Sequence, residues 1–236
     1  MRVEIWSDVV CPWCYVGKRR LESALATFPH ADQVEIVYRS FELDPSAPKG
    51  AGEPVADYLG KKYGGGRQAG EQMVARVAAV AAEEGLDFNY AESLRANTID
   101  AHRLLHLALE VGGPTLQVAL KERLLKAYFT DALAVDDHAV LTSLAVGAGL
   151  PADRVVQVLE SDEFLADVHA DVAQARAFGA NGVPFFVIDG AYGISGAQPA
   201  DLFSQALQRA WDDTHPQLTT VGGVNAEACG PDGCVA

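Results

Sequence analysis

Long apolar runs are missing from this sequence: nothing in it approaches the ~20 consecutive apolar residues that a membrane-spanning helix requires. The opening Met1-Arg2-Val3-Glu4-Ile5-Trp6-Ser7-Asp8 lacks the apolar core of roughly 7–15 residues that marks a secretory leader. As it stands, the chain reads as cytoplasmic. Basic charge is also scarce. Against 32 acidic side chains stand 18 Lys and Arg, a formal net charge of −14. That balance opposes the basic footprint of nucleic-acid or anionic-membrane binding, so neither partner is expected. Cysteine is sparse too, with 4 among 236 residues. A chain of this length, 49% hydrophobic, can bury a core without covalent staples.

What cysteine there is falls in close pairs, Cys11/Cys14 and Cys229/Cys234. In a long chain without a leader, such spacing reads as metal binding or redox chemistry more readily than as stapling.

The pattern along the chain places the first pair. Val3 and Ile5 alternate with charge in a short strand from Arg2 to Trp6. After a loop, Pro12 occupies the first position of a helix whose Leu21, Leu25 and Phe28 recur at helical spacing. Val34, Ile36 and Tyr38 alternate in a second strand. A β-α-β opening results, with the Cys pair at the strand-to-helix junction. Residues 45–160 then read as helical: Tyr58 to Lys62, Glu71 to Glu84, Thr98 to Val111, Thr115 to Phe129, a helix capped by Asp136 or Asp137, and another opened by Pro151. Strand character returns at Val183 to Ile188, with Asp189-Gly190 as a hairpin turn, followed by a closing helix from Pro199 to Trp211. The predicted fold is therefore α/β, divided as 1–44 and 161–212 forming one domain, 45–160 a helical insertion within it, and 213–236 a loose tail. Gly64-Gly65-Gly66 has no strand leading into it and does not read as a phosphate loop.

Disulfide exchange needs an accessible thiolate and a second thiol near enough to resolve the mixed disulfide. Cys11 at a helix cap meets free N–H groups and the positive end of the dipole. Cys14, one turn in, is covered and favours its neutral thiol. The expected roles are Cys11 as nucleophile and Cys14 as resolver. Pro12 offers no N–H, and Trp13 adds an exposed apolar face for substrate. Thiols in such motifs have pKa values of about 3.5 to 7; lacking a cationic imidazole at position 13, this one is not placed at the acidic extreme. A zinc half-site would need further ligands, and inert core cysteines would need no such placement.

Val183-Pro184 puts a proline just before a buried strand, where it removes a ladder donor; the residues alone leave its isomer open. Cys229-Gly230-Pro231-Asp232-Gly233-Cys234 can close through a Pro-Asp-Gly turn. So short a ring adds little stability, which leaves an auxiliary redox pair, a passive disulfide or a metal site. His102 and His106 are four apart on one helix, a spacing that holds metals, but packing or hydrogen bonding accounts for them equally simply. Asp8 can cap the turn or act on protons near the cysteines.

Taken together, Ser7-Asp8, Cys11-Pro12-Trp13-Cys14-Tyr15-Val16-Gly17-Lys18, Asn97-Thr98, His102-Arg103, Gly182-Val183-Pro184-Phe185-Phe186-Val187 and Ser195-Gly196-Ala197-Gln198-Pro199 resemble the DsbA-like thioredoxin family, most closely its FrnE-type branch. The resemblance covers nearly the whole chain. It implies a thioredoxin fold interrupted by a helical insertion, a cis Pro184 facing Cys11, and a Val183 backbone that receives a substrate segment by strand-like pairing. It also implies that the Asn97 to Arg103 segment approaches the active-site region, where it can line the substrate groove; some FrnE-type proteins carry a similar C-terminal Cys pair, which supports Cys229/Cys234 as an auxiliary redox relay. The sequence is also similar to 2-hydroxychromene-2-carboxylate isomerases and kappa-class glutathione transferases, which carry serine where Cys11 stands. The expected activity is thus dithiol–disulfide exchange without a cofactor, acting on proteins or on small thiols such as glutathione, with a glutathione-dependent isomerase or transferase as the alternative.

Overall fold

The computed structural model describes residues 1–50, 52–216, 229–230 and 233–234, the last two pairs by backbone alone. β1 (Arg2–Ser7) leads into α1 (Pro12–Thr27) and β2 (Glu35–Ser40). The helices α2 (Val55–Tyr63), α3 (Gly66–Glu83), α4 (Ile99–Phe129), α5 (His138–Ala148), α6 (Ala152–Leu159) and α7 (Leu165–Ala177) follow. β3 (Phe185–Ile188), β4 (Tyr192–Ser195) and α8 (Ala200–Thr214) come next, with β5 (Cys229–Gly230) and β6 (Gly233–Cys234) at the end.

The four-stranded sheet has the order β2-β1-β3-β4. β1 and β2 are parallel, as a helical crossover requires, and Ile5 lies level with Tyr38. On its other edge β1 meets β3 antiparallel, Ile5 opposite Phe186, so strands remote in sequence flank one central strand. Every residue of β3 is buried, which explains its continuous apolar run. The β3–β4 turn uses Asp189 at φ 48° and Gly190 at φ 68°, the left-handed pair of a tight hairpin. Asp189 also accepts the Arg2 backbone N–H at 2.6 Å, fastening the turn to the start of β1.

One face of the sheet is covered by α1 and α8 through Leu21, Phe28, Phe186, Phe203 and Trp211; removing a ring such as Phe203, fully buried, would cost about 3–5 kcal/mol. A larger core joins Tyr15 and Val16 of α1 to α3, α4, α5 and α6, with Phe88 stacked on Phe129 at 4.6 Å. The expected pair of helices around Gly112-Pro114 is present as the two halves of α4, which meet at a kink where Gly113 leaves helical geometry (φ 66°, ψ −166°). The glycine adopts a backbone state other residues resist, and Pro114 then restarts the helix at a position where its missing N–H is harmless. Asp137 caps α5 by accepting from Ala139 N and Val140 N. No helix among the described residues is long and apolar enough to cross a membrane.

Candidate active site

α1 begins as the sequence predicts, with Cys11 as its cap residue and Pro12 in the first turn. Cys11 and Cys14 are both free thiols and both buried, each only 3% exposed. The expectation of an openly exposed Cys11 is therefore not met. Cys11 is reached through a cavity of about 480 Å³ that it lines together with Pro12, Trp13 and Val183. Trp13, 40% exposed, stands at the rim. Cys14 does not line this cavity, so access alone gives the two sulfurs different tasks.

The Val183–Pro184 peptide bond is cis, and the Cys11 thiol donates to the Val183 carbonyl at 3.5 Å. The proline is pressed against α1: a Cβ on Gly17 would meet Pro184 Cγ at 3.1 Å and Phe186 Cζ at 3.2 Å. Glycine at this position is what lets the helix lie so close to the β3 entrance.

Beneath the thiols lies a polar layer. Asp8, fully buried, accepts from Val9 N at 2.7 Å, from Leu43 N at 2.8 Å and pairs with His102 Nε2 at 3.2 Å. Burial would raise its carboxyl, but the His102 bond and charge, the Leu43 N–H and the Lys121 charge hold it below the ordinary carboxylate value. The two thiols act on each other. The hydrogen bond to Cys14 and burial push Cys11 up. Cys14 is also penalised by burial, yet its bond from Cys11, the Lys121 charge and the Ser7 hydroxyl draw it down. The surroundings thus push Cys11 up and draw Cys14 down, the opposite sense to that expected from helix position.

A second network fixes α1 to α4. Glu122 accepts from Tyr15 Oη at 2.7 Å and pairs with Lys18 at 2.6 Å and Arg19 at 2.5 Å. Against the cost of burial, the bonds from Arg19, Lys18 and Tyr15 hold its carboxyl at about 2. This clamp sets the adjacent Lys121 under the active site. Neither Lys121 nor Glu122 was identifiable from sequence, because both occupy a helix that is buried on most sides and so lacks a clear polar stripe.

The histidines go to separate partners. His102 binds Asp8, whereas His106 Nε2 lies 3.1 Å from both Ser40 Oγ and Asp171 Oδ2. Asn97 bonds the Ala47 carbonyl, and Arg103 bonds Asp100 and the carbonyls of Val158, Ser161 and Glu163. The Asn97 to Arg103 segment is consumed by these internal bonds; Arg95 and Ala96, just before it, line the cavity instead. The remaining walls are mainly apolar and aromatic, including Val55, Tyr58, Tyr90 and Tyr128, with Lys62 and Arg76 as cations. In the tail, β5 and β6 pair antiparallel with Cys229 opposite Cys234. Their side chains, and with them the expected relay, lie outside the described residues.

Similar proteins share this arrangement of strands and helices. A probable DsbA oxidoreductase from Streptomyces coelicolor is 48% identical, with 100% of this chain and 99% of that one covered at a TM-score of 0.84. The cytosolic disulfide reductase DsbM from Pseudomonas aeruginosa, solved with GSH, is 16% identical over 89% of this chain and 98% of that one, at a TM-score of 0.62. At that identity the likeness is one of fold. The uncharacterized protein YwbO of Bacillus subtilis is 28% identical over 210 residues, covering 88% of this chain and 96% of its own. The family model of the DSBA-like thioredoxin domain matches residues 2–208, and the chain belongs to that family.

Proposed function

We propose that this protein exchanges disulfides through Cys11 and Cys14, with Trp13, Val183 and Pro184 receiving the substrate. The observation that carries the reading is the free thiol pair at the start of α1, with Cys11 alone opening onto the cavity and held against the Val183 carbonyl. Cys11 thiolate attacks a substrate disulfide, forming one S–S bond and releasing one substrate thiolate. Cys14 thiolate then attacks the Cys11 sulfur, closing the Cys11–Cys14 disulfide and releasing the second. The substrate is reduced by two electrons and the dithiol is oxidised; substrate oxidation runs the same steps backwards. On substrate entry the Val183 carbonyl exchanges its thiol donor for a peptide N–H of a strand-like segment. A small thiol such as glutathione fits the same cavity, a reading in keeping with the GSH-bound relative. In this scheme Cys229/Cys234 serve as a second dithiol passing electrons to or from the first pair.

Equilibration in glutathione redox buffers, with the Cys11–Cys14 bond quantified by mass spectrometry, tests the proposal. Reversible two-electron oxidation at a potential between about −270 and −120 mV is expected, with insulin reduction abolished by Cys11→Ser and mixed disulfides accumulating in Cys14→Ser. Glutathione-dependent turnover that survives Cys14→Ser would replace this reading with an isomerase or transferase. Insulin turnover unchanged in a Cys229→Ser/Cys234→Ser variant would remove the relay.

A further inference from the structure

One buried cation makes no direct ion pair among the described residues, although the Asp8 carboxylate acts on it from farther off. Lys121 is 0% exposed, and its Nζ has one hydrogen-bond partner among the described residues, the Ser7 carbonyl at 3.4 Å. The other buried cations are neutralised: Lys18 by Glu22 and Glu122, Arg103 by Asp100. Stability does not account for this one, since an isolated buried charge costs several kcal/mol. A methionine of similar length would fill the space more cheaply. Burial draws the Lys121 amine down to about 8, with Cys14, Asp8 and Cys11 acting in the opposite sense.

A second observation points to the same spot. Ser7 Oγ is buried and has no hydrogen-bond partner among the described residues, and it lies near enough to Cys14 to lower that thiol. The ammonium bonds the carbonyl of the same residue whose hydroxyl is left over, and both groups act on the Cys14 thiol. The groups facing Lys121 are Ser7 and Asp8 at the end of β1, Cys11 and Cys14 of α1, and Tyr38 of β2, whose ring centre is 5.4 Å from Nζ. His102 of α4 faces Asp8.

We propose that Lys121 is the internal counterion of the Cys14 thiolate and Ser7 its hydrogen-bond donor, so that the resolving half of the exchange is driven by a residue of α4. This rests on the disulfide-exchange reading above. In the mixed disulfide, Cys14 gives its proton to solvent and its thiolate is held by the Lys121 ammonium. That thiolate attacks the Cys11 sulfur, the Cys11–substrate S–S bond breaks, and the substrate thiolate leaves and is reprotonated from water. Lys121 keeps its proton throughout and acts through Cys14 as a positioning residue. In the closed disulfide the ammonium loses the thiolate and keeps only the Asp8 charge. The lysine therefore favours the reduced site and makes the pair a stronger oxidant, as stabilising the reduced form does in general.

The linkage is reciprocal and can be read without a variant. Titrating the Lys121 side chain by NMR in the reduced and the oxidised protein should show a lower pKa in the oxidised form. Identical titrations in the two forms would overturn the proposal. Lys121→Met, with circular dichroism and melting to verify folding, should weaken the reduced form about tenfold, a potential about 30 mV more negative. In a Cys11→Ser/Cys229→Ser/Cys234→Ser background, the same change should raise the Cys14 thiol pKa by about one unit, with Ser7→Ala shifting it in the same direction and Lys121→Arg restoring it. A folded Lys121→Met with an unchanged potential and Cys14 titration would refute the assignment. Should the dithiol fail to oxidise reversibly at all, it is the exchange reading that falls. Normal oxidation with an indifferent Lys121 defeats only this inference.

Discussion

Replacing Gly17 by alanine sets two magnitudes against each other. Alanine in a helix interior gains about 1 kcal/mol over glycine, and Gly17 lies within α1. The added Cβ would lie 3.1 Å from Pro184 Cγ, 3.2 Å from Phe186 Cζ and 3.5 Å from the Ala197 backbone. Relief requires a neighbour to retreat by a few tenths of an ångström, and neither ring is free to do so. Phe186 is buried against Phe203, ring centres 4.7 Å apart, while the Pro184 carbonyl is held by Gly196 N at 2.8 Å. Overpacking of this kind costs about 1–3 kcal/mol, so it outweighs the propensity gain by about 1 kcal/mol, or roughly 2–4 °C in melting temperature for a chain of this size. Separation of α1 from the Val183–Pro184 segment should also slow mixed-disulfide formation, by up to about tenfold. Calorimetry of the reduced protein and stopped-flow reaction with a peptide disulfide measure the two effects. A variant that melts higher and reacts at the wild-type rate would show that α1 is not closely seated on Pro184, and the account of the site's wall would be wrong.

Asp8→Asn should lower stability by about 3 kcal/mol in urea titrations, because it turns an amide N–H toward the Leu43 N–H and strips His102 of its buried carboxylate. It should also lower the Cys11 thiol pKa, since the Asp8 charge helps to hold that thiol up; an unchanged urea midpoint would discredit the polar layer. Glu122, held at about 2 in the folded chain against 4.5 for a free side chain, contributes stability above the higher value and loses it as pH falls through the lower. Glu122→Gln should therefore cost roughly 2 kcal/mol at pH 7, after discounting for partial exposure, and almost nothing near pH 2. Equal melting differences at both pH values would mean that shape rather than charge is responsible.

Elements whose order is written locally were legible. The Asp189-Gly190 turn, the Asp137 cap and the Pro12 helix start each depend on a few adjacent residues whose backbone preferences are strong. The break in α4 was legible for the same reason: Gly113 leaves helical geometry and Pro114 opens the second half, both local signals. Lys121 and Glu122 escaped notice because both look like ordinary helix-surface charges until the partner of each helix face is known.

The sequence by itself determined that a Cys-Pro-Trp-Cys helix start follows a first strand, and that a proline precedes a distant one. These are short-range statements, governed by capping, turn chemistry and side-chain alternation. The tertiary structure decided which groups meet: Val183 against Cys11, Gly17 beneath Pro184, and a lysine more than a hundred residues away beside the thiol pair. It also set the surroundings of that pair. Burial and neighbouring charge act on both sulfurs beside the local helix dipole, and those terms are set by residues no local pattern can bring together.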